Sequence, residues 1–355
     1  MMFLAINEIK YAKYRYVLVT GMIFLISYLV FFLTGLAFGL AQDNRTAVDK
    51  WDADSIILMK DANNNLGMSM IDYEVLDQIT AEDKAVVSQL PGVVSKKGTE
   101  ASLNAIFFGI DQDQFLMPDV SEGRIFAEDK EVVADRSLQD EYDVQIGDQL
   151  KISGNETVVT VVGFTEKAKF NVSPVLYTSL ETYQELRYGD KGAGQPAKVN
   201  GIVTRGKVSD LPKNVVNIEI GTFIQKLPGY SAQVLTFGFM IGFLILIASI
   251  VVGIFMYVLT MQKTDLFGVM KAQGISSRYI GTSVVIQTFL LTTTGVVTGL
   301  LGTVGTAYVL PSKVPFESNL LFYGGISLLM VAFASLGALF SVKAIVKIDP
   351  LKAIG

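Results

Sequence analysis

The chain contains no cysteine and no histidine. The first absence excludes disulfides, thiolate zinc sites and cysteine nucleophiles. The second removes the commonest general base and the imidazole metal ligand. Charge is also scarce. Asp, Glu, Lys and Arg make up 18% of the 355 residues, against roughly 25% in ordinary globular chains. Half of the residues are apolar, and mean hydropathy is +0.43. This composition rules out a soluble protein, and a net charge of -5 argues against a nucleic-acid partner.

The apolar residues fall in long runs. Segments 16–40, 235–261, 280–310 and 320–342 carry no charged residue. A bilayer core about 30 Å thick needs about 20 apolar helical residues, whereas buried core helices need only 10–14. The runs therefore predict four transmembrane helices, at 16–40, 235–261, 281–310 and 320–342. The first run follows Lys10, Lys13 and Arg15, as a signal peptide would. It is longer than a cleavable apolar core of about 7–15 residues, so an uncleaved anchor is expected.

Orientation follows from lysine and arginine in the short flanks. Segments 1–15, 262–280 and 343–355 each carry three bases and one acid, whereas 41–231 holds 30 acids and 19 bases. The expectation is a cytoplasmic N-terminal segment, a cytoplasmic 262–280 segment and a cytoplasmic 343–355 tail, with 41–231 outside. That outer segment is long enough for a folded domain. β-Branched runs predict strands at 55–58, 105–110, 131–134, 157–164, 175–177 and 200–204. Helices are expected at 81–90, capped by Thr80 and ended by Pro91-Gly92, and at 179–187. The outer domain is thus expected to be mixed α+β.

Chemistry-bearing motifs are few. Asp43, Asp49, Asp52, Asp54, Asp111, Asp113 and Asp119 dot the outer domain, but Asp111-Gln112-Asp113 lacks the glycine and glutamate of a calcium loop. These acids are expected to be solvated surface. The stretch Gly201 to Lys207 has the G-x4-G-K spacing of a phosphate loop, with Val208 where magnesium binding needs Ser or Thr. A strand ending in a Gly206 turn is the better reading, and no enzyme activity is expected of the chain alone.

The layout of one helix, a large outer domain and three further helices resembles the FtsX-like, or MacB-type (type VII), permeases of ABC transporters. Phe267-Gly268-Val269-Met270-Lys271-Ala272-Gln273-Gly274 is similar to the family's cytoplasmic segment before the third helix. Ile348-Asp349-Pro350-Leu351-Lys352-Ala353 is similar to its ending. Glu131 to Ser137, Val144 to Leu150 and Val159 to Phe164 resemble its periplasmic core signature. Within the family, the start Phe3 to Lys10, the stretch Leu33 to Ala37 and the stretch Tyr257 to Lys263 are most similar to permeases of haem-regulated efflux in Gram-positive bacteria.

The resemblance implies a permease homodimer in the cell membrane, two separate ATPase subunits that hold the ATP, and no permanently bound cofactor. Haem, or a similar amphipathic toxic compound, is the implied substrate. Docking to the ATPase is expected at Lys263, Phe267, Met270, Lys271, Arg278 and Lys347. With no His or Cys, only Met and Tyr remain as protein ligands to haem iron. Tyr230 and Tyr28 are the candidate ligands, with Phe31, Phe32, Phe237 and Met240 as apolar walls. Gly295, Gly299 and Gly302 share one face of the third helix and permit close helix packing. Two other functions remain: export of peptide antibiotics or lipids, which the layout disfavours because such permeases usually have ten helices, and FtsX-type signalling to a cell-wall hydrolase without transport, which shares the four-helix layout.

Overall fold

The computed structural model describes residues 2–98, 102–154, 157–189 and 198–346. It divides into two units, Met1–Gly39 with Leu235–Gly355, and Leu40–Val234.

The first unit is helical. Helix α1 (Met2–Tyr11) precedes α2 (Lys13–Asp43), and α3 (Tyr230–Met261), α4 (Thr264–Ala272), α5 (Ser277–Ala307) and α6 (Leu320–Val346) follow. Helices α2, α3, α5 and α6 are apolar and long enough to cross a bilayer. At 1.5 Å per residue the 31 residues of α2 span roughly 46 Å, so this helix continues beyond the hydrocarbon layer.

Each span buries a stripe at helical spacing. On α2 the stripe runs through Tyr16, Val19, Ile23, Ser27, Val30 and Phe31. On α3 it runs through Ile245, Ala248, Ser249, Val252 and Met256. The opposite faces expose Val17, Leu18 and Leu25, and Phe239, Phe243 and Ile250. A helix that is apolar all round, yet buries only one stripe, has lipid as the solvent of its other face.

Small residues set the close approaches, because helices in lipid gain little from hydrophobicity and associate through packing and hydrogen bonds. A Cβ added to Gly295 would lie 2.6 Å from Ile23 of α2, and one on Gly299 would lie 2.9 Å from the Tyr28 backbone nitrogen. One on Gly302 would lie 3.3 Å from both Phe24 and Tyr28. Ser27 Oγ donates to the Gly295 carbonyl at 3.0 Å, and Thr303 Oγ1 donates to the Tyr28 carbonyl at 3.3 Å. Between α3 and α6 the backbones meet at Gly253 and Gly337.

Among the described residues, the second unit is built on an 11-stranded mixed sheet. Its main strands are β1 (Ser55–Met59), β2 (Asp83–Lys96), β3 (Ser102–Ile110), β4 (Glu131–Asp135), β5 (Gln149–Ile152), β6 (Val158–Thr165), β7 (Ser173–Ser179), β8 (Gly201–Arg205) and β9 (Val215–Glu219). The order is β9-β1-β8-β2-β3-β7-β4-β6, closed by a short Glu122–Gly123 strand, and β5 pairs with β2 and β6. Pairings β3/β7 and β4/β6 are parallel. Trp51, Phe108, Phe170, Tyr177 and Phe223 form the aromatic centre of one core layer.

All six strands expected from β-branched runs are present, and the 179–187 helix is observed as Leu180–Tyr188, with Ser179 accepting from the Thr182 amide. The stretch 81–90 is a correction. It is not a helix: Asp83–Lys96 is one long strand. Its Ala85, Val86 and Val87 are buried and paired with β8, and Val87 also pairs with β3; this long-range pairing overrides the local helix formers. Pro91 and Gly92 do not end the element. They lie where β2 pairs with β3 but has left β8 and not yet met β5, an edge position that a proline tolerates. The phosphate-loop look-alike is the β8 strand, and Gly206 follows it in a left-handed turn at φ 77°.

Candidate functional site

The connection between α3 and α5 is not a plain loop. Residues 264–272 form α4, whose face carrying Phe267 and Gly268 is buried in the bundle while Leu266 and Val269 are exposed. Gly274, at φ 89°, supplies the left-handed turn after the helix. Ser276 then starts α5, its hydroxyl accepting from the Tyr279 amide. Sequence and caps together fix a short amphipathic helix between two spans.

Lys263, the residue just before α4 and expected at the ATPase-docking face, is turned into the bundle. Its Nζ donates to Glu8 Oε2 at 3.1 Å and to the Tyr16 hydroxyl at 2.7 Å. Tyr16 donates to Gln287 Oε1 at 3.1 Å, and Gln287 Nε2 donates to the same Glu8 oxygen. One closed network therefore joins α1, α2, the start of α4 and α5. The Glu8 and Lys263 side chains are only 12% and 18% exposed. Glu8 Oε1 is buried without a hydrogen-bond partner. Removing one member of a buried ion pair costs about 3–5 kcal/mol, because the other charge is left uncompensated. Beside the network, Arg15 Nη1 donates to Gln262 Oε1 at 3.0 Å.

The other residues expected at this face lie as follows. Phe267 is buried against the bundle, and Met270 is half-buried beside the same cluster. Lys271 Nζ reaches the Val346 carbonyl at 3.3 Å, at the end of α6. Arg278 is exposed. Lys347 and the rest of the tail lie outside the described residues. Glu8, Tyr16 and Gln287 are not in the expected set. The available signal was a glutamine inside an apolar span, which is costly there and marks a polar contact.

The candidate substrate residues are spread over several surroundings. Tyr28 and Phe32 stack in a ladder with Phe24 on α2, at centroid spacings of 6.1 and 6.0 Å. The Tyr28 hydroxyl lies 3.0 Å from Thr306 Oγ1. Phe31 is fully buried and meets the Tyr323 ring edge-on at 5.5 Å, so it belongs to the bundle interior. Phe237 and Met240 are half-buried on α3. Tyr230, the first residue of α3, packs against the sheet core. Arg45 pairs with Asp49 at 2.9 Å.

Among the described residues no group of three or more acids is placed to hold a metal ion. Asp111 is held instead by Tyr73 and Gln114, at 3.3 and 3.2 Å.

The MacB-like periplasmic core domain model matches residues 18–213, and the FtsX-like permease C-terminal model matches residues 238–350. The chain is 26% identical over 363 residues to a Staphylococcus epidermidis protein named hemin transport system permease protein HrtB, covering 99% of both chains. It is 25% identical to an uncharacterized ABC transporter permease of Mycobacterium tuberculosis, covering all of this chain and 99% of that one. Among solved structures, the extracellular domain of the ABC-type transporter YknZ aligns with 44% of this chain and 83% of its own length, at 11% identity and a TM-score of 0.32. With the periplasmic core match alone spanning more than half of the chain, the protein belongs to the MacB-like, FtsX-like family of ABC transporter permeases.

Proposed function

We propose that this permease couples ATP hydrolysis by a separate ATPase to the efflux of haem, or a similar amphipathic toxic compound, from the membrane. The observation that carries the coupling is the Glu8–Lys263–Tyr16–Gln287 network. It fixes the root of α4, the exposed amphipathic helix, to three other helices. A push delivered to α4 is then shared by α1, α2 and α5, because rigid elements held by a hydrogen-bonded charge network move together. Leu266 and Val269 offer the outward contact surface, and Phe267 holds the helix to the bundle.

In this reading α4 and both termini are cytoplasmic, the sheet domain is outside the cell membrane, and two permeases pair over two ATPases. The charge split supports this orientation. The haem assignment rests on what the staphylococcal relatives are named for transporting. Haem is flat and apolar with two propionates, so it partitions to the membrane–water boundary. It would enter beside α2 and α3, with Tyr230 as the iron ligand.

Proteoliposomes holding the chain and its cognate ATPase, loaded with haem in the bilayer, test the substrate. ATP should drive haem out of the membrane, and Tyr230→Phe should slow that release and weaken the phenolate–iron charge-transfer band. The assembly of permease and ATPase should survive. Release of a peptide antibiotic or a lipid in place of haem would overturn the haem assignment.

A further inference from the structure

The surface of the helical unit carries a groove of about 710 Å³ between α1, α2 and α5. Its walls are almost entirely apolar, with Val17, Phe24, Leu290 and Leu291 among them. Gly21 lies on its floor, and a Cβ built there meets nothing within 4 Å. Lys10 and Lys13 stand at its rim and are exposed. No carboxylate pairs with either among the described residues, and Lys13 rests over the Tyr14 ring, 5.4 Å from its centroid.

We infer that this groove binds an acidic phospholipid, its anionic headgroup on Lys10 and Lys13 and an acyl chain along Gly21 and Phe24. The charge complementarity carries the choice. An apolar trough opening to the bilayer selects a chain, and two unpaired cations at its mouth select a negative headgroup over a zwitterionic one. Haem would satisfy the same lysines through its propionates, but the groove offers its iron no free tyrosine hydroxyl. Tyr16, which lines the groove, donates to Gln287 and accepts from Lys263. The inference rests on the membrane architecture and not on the substrate reading. The lipid would lie against Tyr16, so that lipid composition would bear on the network at the root of α4.

The full chain in mild detergent, mixed with equal amounts of phosphatidylglycerol and phosphatidylcholine of matched acyl chains, provides the test by native mass spectrometry. The wild type should retain phosphatidylglycerol in roughly thirtyfold preference, the effect of two lysines near an anionic headgroup at about 1 kcal/mol each. Lys10→Gln with Lys13→Gln should erase the preference, and Gly21→Leu, which fills the groove, should reduce retention of both lipids. Lys207→Gln with Lys213→Gln, in the sheet domain, should change nothing. Equal retention by the wild type, preference surviving the rim substitutions, or full retention by Gly21→Leu would overturn the site. So would equal loss of preference in the sheet-domain variant, which would show a net-charge effect. Competition by free glycerol phosphate as strong as by the lipid would make it an anion site only. Displacement of the phospholipid by an equal concentration of haem would make it a substrate site, contrary to the proposal.

Discussion

Glu131 shows how one side chain anchors a strand start in the sheet domain. Arg124 donates to its carboxylate through two nitrogens, and the Ala127 and Glu128 amides donate to Oε2 at 3.0 and 3.2 Å. The Arg124 hydrogen bond, reinforced by the two amides against the cost of burial, lowers its pKa from 4.5 to about 2. A depressed carboxylate pKa stabilises the fold above the unfolded value and loses that contribution as pH falls through the folded value. Acid unfolding should therefore draw on Glu131 between pH 4.5 and about 2, and Glu131→Gln should flatten the stability profile across that window. A circular-dichroism melt series with the same slope in both proteins would refute the assignment. Tyr177 is shifted the other way, raised far above its ordinary range by complete burial and then by the nearby charge of Asp135. It is a neutral core group at any working pH.

At the level of elements, the α2/α5 contact depends on missing side chains. Gly299→Leu would force a side chain against the Ser27 and Tyr28 segment of α2, at an overpacking cost of about 1–3 kcal/mol. The melting temperature in detergent should fall by several degrees. Gly305→Ala, on the same helix with nothing within 4 Å of its Cβ, should leave it unchanged. Equal effects of the two substitutions would mean that the glycine face does not set the contact. The four spans were legible because an uncharged run above 20 residues has no competing explanation. The strands at 131–134 and 175–177 were legible from β-branched runs. The 81–90 segment was misread because Ala81, Glu82 and Lys84 favour a helix locally, while its outcome is set by partners 20 and 120 residues away. The short β5 and β9 strands carry too little local pattern to announce themselves. The role of Lys263 was hidden. Its partner Glu8 is 255 residues distant, and no local spacing reports such a pairing.

The whole molecule comprises a helical unit, which carries a charged network, and a sheet domain whose sequence is inserted between the first two spans. The orientation makes a simple claim: a protease added to intact protoplasts should cut within residues 41–231 and spare 262–280, and external cleavage of α4 would reverse it. The central claim is that ATP-driven work enters through α4 and is shared across the bundle by the Glu8–Lys263 pair. The direct measurement is haem released per ATP hydrolysed in proteoliposomes containing the permease and its ATPase. Loss of about 1–2 kcal/mol of coupling corresponds to roughly tenfold. Glu8→Lys and Lys263→Glu should each lower the ratio by about that factor while ATP hydrolysis continues, and the double exchange, which restores an opposite-charge pair, should recover most of it. An unchanged ratio in both single variants, or a double variant no better than either, would contradict the account.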